Sequence, residues 1–448
     1  MNCNKPKNAM RGSWGRLAAV LLLFAAIPAQ ATLPIQQWQS TSGARVLFVE
    51  THDLPMLDVS VDFPAGASRD TREKSGAASL TLRMMGLGVQ GLKEEQISER
   101  FADVGAQTSG RFDADRAGLT LRTLSGTAER VQALDLMARI LQQPTFPQSI
   151  LDREKARVLA GLRESDTKPE TISDREFRHM IYGNHPYGLR GAGEIETVEK
   201  LTSTDLEEFY RRYYVSDAAI VSIIGDVTRD QARAIAEQLT GKLQKSRKPI
   251  PALPPVPVLD AGQTARIAHP ATQAHIVIGQ PGITRKDPDY FPLWLGNYVL
   301  GGGGFSSRLS EEIRQKRGFA YSTFSYFNPL GQAGPFQIGL QTKKEQSEEA
   351  LKVAKEVLAG FVADGPTQQE LENAKQNVIG GFPLRIDSNR KILDYLSIIG
   401  FYDLPLSYLD DFPARIEAVT LAEVKDAWRR RIRPDRMVTV VVGALDTK

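Results

Sequence analysis

Thiol chemistry is all but absent from this chain of 448 residues, whose one cysteine, Cys3, lies within a segment that reads as removable. That excludes disulfides, thiolate nucleophiles and cysteine-ligated zinc, so the fold must rest on core burial. Histidine is scarce too. The five are His52, His179, His185, His269 and His275, and no two stand three or four residues apart, the spacing that puts two metal ligands on one helix face. A run long enough to span a bilayer is also missing. Residues 1–31 hold Lys5, Lys7, Arg11 and Arg16 without an acid, then the apolar stretch 17–27, then Ala29, Gln30 and Ala31. This is the pattern of an export leader cleaved before Thr32, and its apolar centre is too short to cross a membrane. The expectation is an exported, periplasmic protein with no membrane span after leader removal. The leader carries four of the 56 basic residues, leaving 52 against 53 acidic ones. Such a balance gives no basis for nucleic-acid binding or for an electrostatic membrane patch.

About 417 residues remain, more than one core usually supports. Residues 241–262, GKLQKSRKPIPALPPVPVLDAG, carry five prolines and read as an extended linker between halves of similar length. The halves repeat. Residues 211–225, RRYYVSDAAIVSIIG, align without gaps onto 429–443, RRRIRPDRMVTVVVG; residues 155–162 align onto 375–382; and Pro144-Thr145 aligns onto Pro366-Thr367. Three matches, all at offsets between 218 and 222 residues, indicate two copies of one unit. The expected domains are residues 38–244 and 263–446, joined by 245–262. In the first, alternating apolar residues predict strands at 46–49, 57–63, 117–124 and 218–224. Amphipathic spacing predicts helices at 75–85, 92–104, 131–141, 150–164 and 203–213. Mostly antiparallel strands interspersed with helices define an α+β class, two sheets each covered by helices.

The densest stretch is residues 300–327, LGGGGFSSRLSEEIRQKRGFAYSTFSYF. Gly301, Gly302, Gly303 and Gly304 give a backbone that bends or admits another chain. A nucleotide loop is excluded, because Phe305, Ser306 and Ser307 follow where Gly-Lys-Ser/Thr chemistry is needed. Ser306 or Ser307 is expected to cap a short helix with Glu311 and Glu312 early, Arg314, Lys316 and Arg317 late, and Gly318 as the stop. An aromatic strand follows, with Arg314 and Tyr321 seven residues apart.

The duplication, the proline linker, the motif GNHPYG at 183–188 and the 300–322 stretch closely resemble the pitrilysin or insulinase family of zinc metallopeptidases, near its two-subunit processing-peptidase branch. The resemblance implies a zinc motif H-x-x-E-H on a helix of the first half, two histidines holding the metal and the glutamate acting as general base. The matching helix reads GAASLTLRMM. Its ligand positions fall on Ser79 and Arg83 and its general-base position on Leu82, while the third-ligand region of a later helix, VLAGL at 158–162, has Gly161 and no glutamate. Serine is a poor zinc ligand and leucine takes no proton. A fixed guanidinium would repel a divalent ion about 4 Å away by roughly 8 kcal/mol.

In the second half, the resemblance assigns Arg314 and Tyr321 to the pair that binds substrate backbone, with Gly301 to Gly304 beside them; both side chains can donate to carbonyl oxygens. What it implies is a non-catalytic subunit without a metal of its own. The zinc would sit on an H-x-x-E-H partner in a heterodimer, and the substrate would be a peptide or unfolded protein. Two alternatives stay open: an assembly scaffold in which the pair is vestigial, and an autonomous peptidase with an atypical metal site.

Overall fold

The computed structural model describes Met1 and residues 34–443; the leader expected at 1–31 lies outside the described residues. The first half supplies β1 (Gln36–Gln39), β2 (Arg45–Glu50), β3 (Met56–Phe63), a small ribbon of β4 (Gly88–Val89) and β5 (Leu92–Lys93), then β6 (Gln107–Phe112), β7 (Ala117–Leu124) and β8 (Ile220–Gly225). The second supplies β9 (Gln263–Ile267), β10 (Gln273–Pro281), β11 (Ala320–Phe327), β12 (Pro335–Lys343) and β13 (Val438–Val442). The sheets run β1-β2-β8-β3-β7-β6 and β11-β12-β10-β13-β9.

Without β1 the two orders are the same. In each half the last strand inserts between the first and second, parallel to the first (β8 to β2, β13 to β9) and antiparallel to its other neighbour. The α+β class therefore holds, and the sheets are mixed rather than purely antiparallel because that late insertion fixes strand direction. The repeat reaches single side chains. Lys155 donates to the carbonyls of Glu199 and Leu201, and Lys375 to that of Glu417, at the ends of equivalent helices. Thr202 and Thr420 cap equivalent helices, Ser203–Tyr213 and Leu421–Arg431, each in a capping box.

Alternation in β3 places Leu57, Val59, Val61 and Phe63 in the first-half core and Asp58, Ser60 and Asp62 on the other face, where all three are buried as well. A second-half helix, Asn389–Phe401, covers that face: Ser397 donates to Asp62, and Gly400 lies so close that a Cβ would meet Leu47 and Ile220 at 2.6 Å. The exchange is mutual. The first-half helix Pro169–Tyr182 buries Phe177, Ile181 and Tyr182 among Val277, Val438, Val440 and Val442 of the second sheet. Each half thus lends a helix to the other's sheet.

At the seam, the buried Asp115 carboxylate accepts hydrogen bonds from Tyr187 of the GNHPYG motif, from Tyr402 (2.8 Å) and from the Gly331 amide (2.7 Å). The linker is fastened through carbonyls. Arg212, Arg69 and His185 donate to those of Pro249, Pro251 and Pro254. His185 Nδ1 accepts from the Tyr187 amide, so the ring is a neutral tautomer, and burial holds its pKa below the usual value.

Asp115→Ala leaves two buried tyrosine hydroxyls and an amide without their acceptor, and should lower unfolding stability by about 3 kcal/mol or more in urea titration, since bonds to a charged acceptor are each worth roughly 1.5–3 kcal/mol.

Candidate functional site

The helix Ala77–Met85 opens at Gly76, whose φ of 97° is left-handed. Asp70 serves as its cap from outside, accepting from the amides of Gly76 (2.7 Å) and Ala78 (2.8 Å); burial pushes the Asp70 carboxyl up to about 7 against those bonds. Leu80, Leu82, Met84 and Met85 are buried. Ser79 and Arg83, one turn apart, lie on the open side. The Ser79 hydroxyl donates to the Gly76 carbonyl of its own helix.

Arg83 meets a carboxylate that sequence reasoning missed. Glu154, on the helix Gln148–Ser165, is fully buried. Its Oε2 accepts from Arg83 Nε at 2.6 Å and its Oε1 from Arg153 and Arg157 at 2.9 Å. Burial alone would raise the Glu154 pKa, but hydrogen bonds from Arg83 and Arg153 outweigh it and hold the carboxyl below the usual value. Gly161 stands two turns further along that helix, exposed, with nothing within 4 Å of where a Cβ would be. The available signal was the Arg-Glu-x-x-Arg spacing of Arg153, Glu154 and Arg157, which puts three charges on one helix face.

Ser79, Leu82, Arg83 and Gly161 do not fit zinc. A hydroxyl already bonded, a hydrocarbon, a cation and a bare backbone offer no ligand set, and among the described residues no group of three or more His, Cys, Asp or Glu is placed to hold a metal. Beside them opens a cavity of about 650 Å³ lined by Leu82, Ile97, Phe101, Phe112, Leu119 and Ile140, with Ser79, Arg83 and β6 at its margin.

The second-half stretch is built from tight and wide turns. A π-helical turn, Tyr298–Gly302, leads through a 3-10 turn, Gly304–Ser306, into a second π-helical turn, Ser310–Gln315. Ser306 and Ser307 do not cap the helix as expected; their hydroxyls donate back to the carbonyls of Gly303 and Gly304 and close the turn before it. Three glycines are packing sites. A Cβ would lie 2.4 Å from Ser325 Oγ at Gly301, 2.8 Å from Asn297 Nδ2 at Gly302 and 2.7 Å from the Tyr298 carbonyl at Gly303, whereas Gly304 (φ 65°) faces open space.

Arg314 and Tyr321 come together. Ala320 pairs with Thr342 and Ser322 with Gln341, so Tyr321 is the extra residue of a β-bulge on an edge strand, a device that re-aims a side chain; it is 84% exposed. The Arg314 guanidinium lies 4.7 Å from its ring centroid and 4.4 Å from that of Phe305. Phe305, 66% exposed, therefore supplies a second ring to the cation that spacing alone did not suggest, although an aromatic directly after a glycine run was visible. The neighbouring acids are taken: Glu311 pairs with Lys316, and Glu312 with Lys316 and Arg317. Among the described residues no acceptor engages the Arg314 side chain, so two ring faces hold a cation whose in-plane N–H groups remain free.

Two matched α+β halves, one with a degenerate ligand helix and the other with an Arg/Tyr pair, define the class as a two-domain metallopeptidase-type fold. The chain belongs to the M16 family: residues 45–192 match the profile described as "Insulinase (Peptidase family M16)" and residues 200–378 that described as "Peptidase M16 inactive domain". It is similar to the crystal structure of a peptidase M16 inactive domain from Pseudomonas fluorescens, with 37% identity, a TM-score of 0.89, and coverage of 92% of this chain and 98% of that one. It is also 24% identical to the Helicobacter pylori "Non-peptidase homolog YmxG", over 91% of this chain and 93% of the relative. The Bacillus subtilis "Uncharacterized zinc protease YmxG" is likewise 24% identical, over 91% and 98%.

Glu154→Gln should cost about 1–3 kcal/mol at neutral pH. Because the folded pKa lies below the unfolded one, the carboxylate's contribution is present above about 4.5 and is lost in acid. The gap between variant and parent melting temperatures should therefore narrow as pH falls below that value.

Proposed function

We propose that the protein is an exported, non-catalytic, peptide-binding subunit of a heteromeric metallopeptidase, periplasmic in location, working beside a catalytic M16 partner that carries H-x-x-E-H and its zinc. The observation that carries this reading is the uncompensated Arg314 guanidinium clamped between Phe305 and Tyr321. A cation held against two aromatic rings with no acceptor among the described residues on its N–H groups is set to donate to peptide carbonyls, and the Tyr321 hydroxyl adds a further donor on the same exposed bulge. Chemistry on the scissile bond belongs to the partner, because Ser79, Leu82 and Arg83 supply neither ligand nor base. This chain's part is to hold and orient the peptide, where fixed donors help most if they face developing charge. The names of the relatives from Pseudomonas fluorescens and Helicobacter pylori, an inactive domain and a non-peptidase homolog, support the non-catalytic part of the reading.

Mixing the purified protein with its H-x-x-E-H partner should raise peptide hydrolysis above that of the partner alone. Arg314→Ala should remove about tenfold or more of that gain, the worth of a charge-assisted hydrogen bond. Phe305→Ala should cost several-fold and Phe305→Trp little, as expected of a ring that holds a cation at about 0.5–2 kcal/mol. A partner equally active without this chain would overturn the reading and leave a scaffold role.

A further inference from the structure

The cavity beside Arg83 has three properties that do not concern metal. Its body is apolar, formed by Leu82, Ile97, Phe101, Phe112, Leu119 and Ile140, and none of its lining residues is acidic. Its polar margin carries an unbalanced charge. Glu154 and Glu94 are the carboxylates of the local network and Arg83, Arg153 and Arg157 the cations. One positive charge is left over, and of the Arg83 nitrogens the network uses Nε. Along the third side runs β6, the last strand of its sheet, exposed over Gln107 to Gly110. Among the described residues its outward backbone groups have no strand beside them, and this part of the strand carries none of the lysines, prolines or bulges that usually blunt an edge.

We propose that this cavity binds the carboxyl terminus of a peptide whose last residue is apolar. The α-carboxylate would take the free in-plane N–H groups of Arg83, a bidentate geometry suited to a guanidinium. The last side chain enters the apolar body, and the preceding backbone pairs with β6 as an added strand. Each property removes an alternative ligand. An internal segment has no residue that carries both a carboxylate and an apolar side chain, as a chain end does, inorganic phosphate has nothing to fill the apolar body, and a fatty acid has no amides for β6. The replacement of a ligand helix by Leu82 and Arg83 is then a change of ligand, from a metal ion to a chain end. The site is separate from Arg314 and is tested separately.

The test is calorimetric titration of the purified protein with a short N-acetylated peptide ending in leucine, as the free acid and as the carboxamide. The free acid should bind about tenfold or more tightly than the amide, the difference a charge-assisted contact makes. Arg83→Gln should bring the acid down to the amide's affinity without weakening the amide, and Arg83→Lys should keep part of the preference. Arg314→Ala, which removes a donor to backbone carbonyls common to both peptides, should leave the ratio of acid to amide affinity unchanged. Equal affinity of acid and amide, binding of neither, or a preference that survives Arg83→Gln would overturn the proposal. So would loss of the preference in Arg314→Ala, which would place the peptide at the other half's pair.

Discussion

The architecture depends on one exchange: each half covers the inner face of the other's sheet with a helix of its own. Duplicated units usually meet through surface side chains, but here Asn389–Phe401 lies on the first sheet while Phe177, Ile181 and Tyr182 enter the second. Each sheet consequently has two buried faces. The burial of Asp58, Ser60 and Asp62 follows, because a polar face that would otherwise be hydrated is covered by a neighbour, and buried polar groups require partners. Asp115 gathers the hydrogen bonds that fix this arrangement, from a first-half turn, a second-half helix end and a second-half loop. A carboxylate buried without such donors would be strongly destabilising; with them it specifies how the halves dock.

The same electrostatic logic explains the degenerate helix. A buried glutamate on Gln148–Ser165 needs a cation, and in this chain the cation is a guanidinium, Arg83, backed by Arg153 and Arg157. Restoring histidines alone would not rebuild a metal centre, because removing Arg83 changes the charge balance around Glu154 and Gly161 still supplies no carboxylate. The loss is distributed over two helices, so it is a settled rearrangement and not a single missing ligand.

Much of this was legible in the sequence, and the division is physical. Strand and helix periods depend on local spacing, so Ala117–Leu124 and Ser203–Tyr213 fall where alternation and amphipathicity put them. The duplication was readable because the same packing constraints act twice, down to Lys155 and Lys375. What remained hidden depends on contacts between distant segments. The bulge at Tyr321 exists because β11 pairs with β12 in a shifted register, and no local pattern encodes a register shift. The serines of the 300–327 stretch satisfy the preceding turn instead of the helix because wide π turns change which carbonyls are unpaired. Glu154 is buried only because distant Arg83, with Arg153 and Arg157, encloses it.

The two halves finally explain each other's sites. β6 and β11 are equivalent edge strands of the two sheets; Ser310–Gln315, with Arg314, leads directly into β11, whereas Arg83 lies in Ala77–Met85, with the β4–β5 ribbon and the helix Glu94–Asp103 between it and β6. In the first half a buried carboxylate holds the guanidinium; in the second, two aromatic rings do. The holding device sets what the donors can do. A carboxylate occupies one edge of Arg83 and leaves its end free beside an apolar cavity, the arrangement on which the proposed chain-end site rests. Ring faces occupy no donor of Arg314, which leaves it able to follow the carbonyls of a passing chain. The two cations occupy different places in the repeated unit, Arg83 on the helix that follows β3 and Arg314 on the turn just before the edge strand, so the proposed recognition chemistries arose at separate points of one fold.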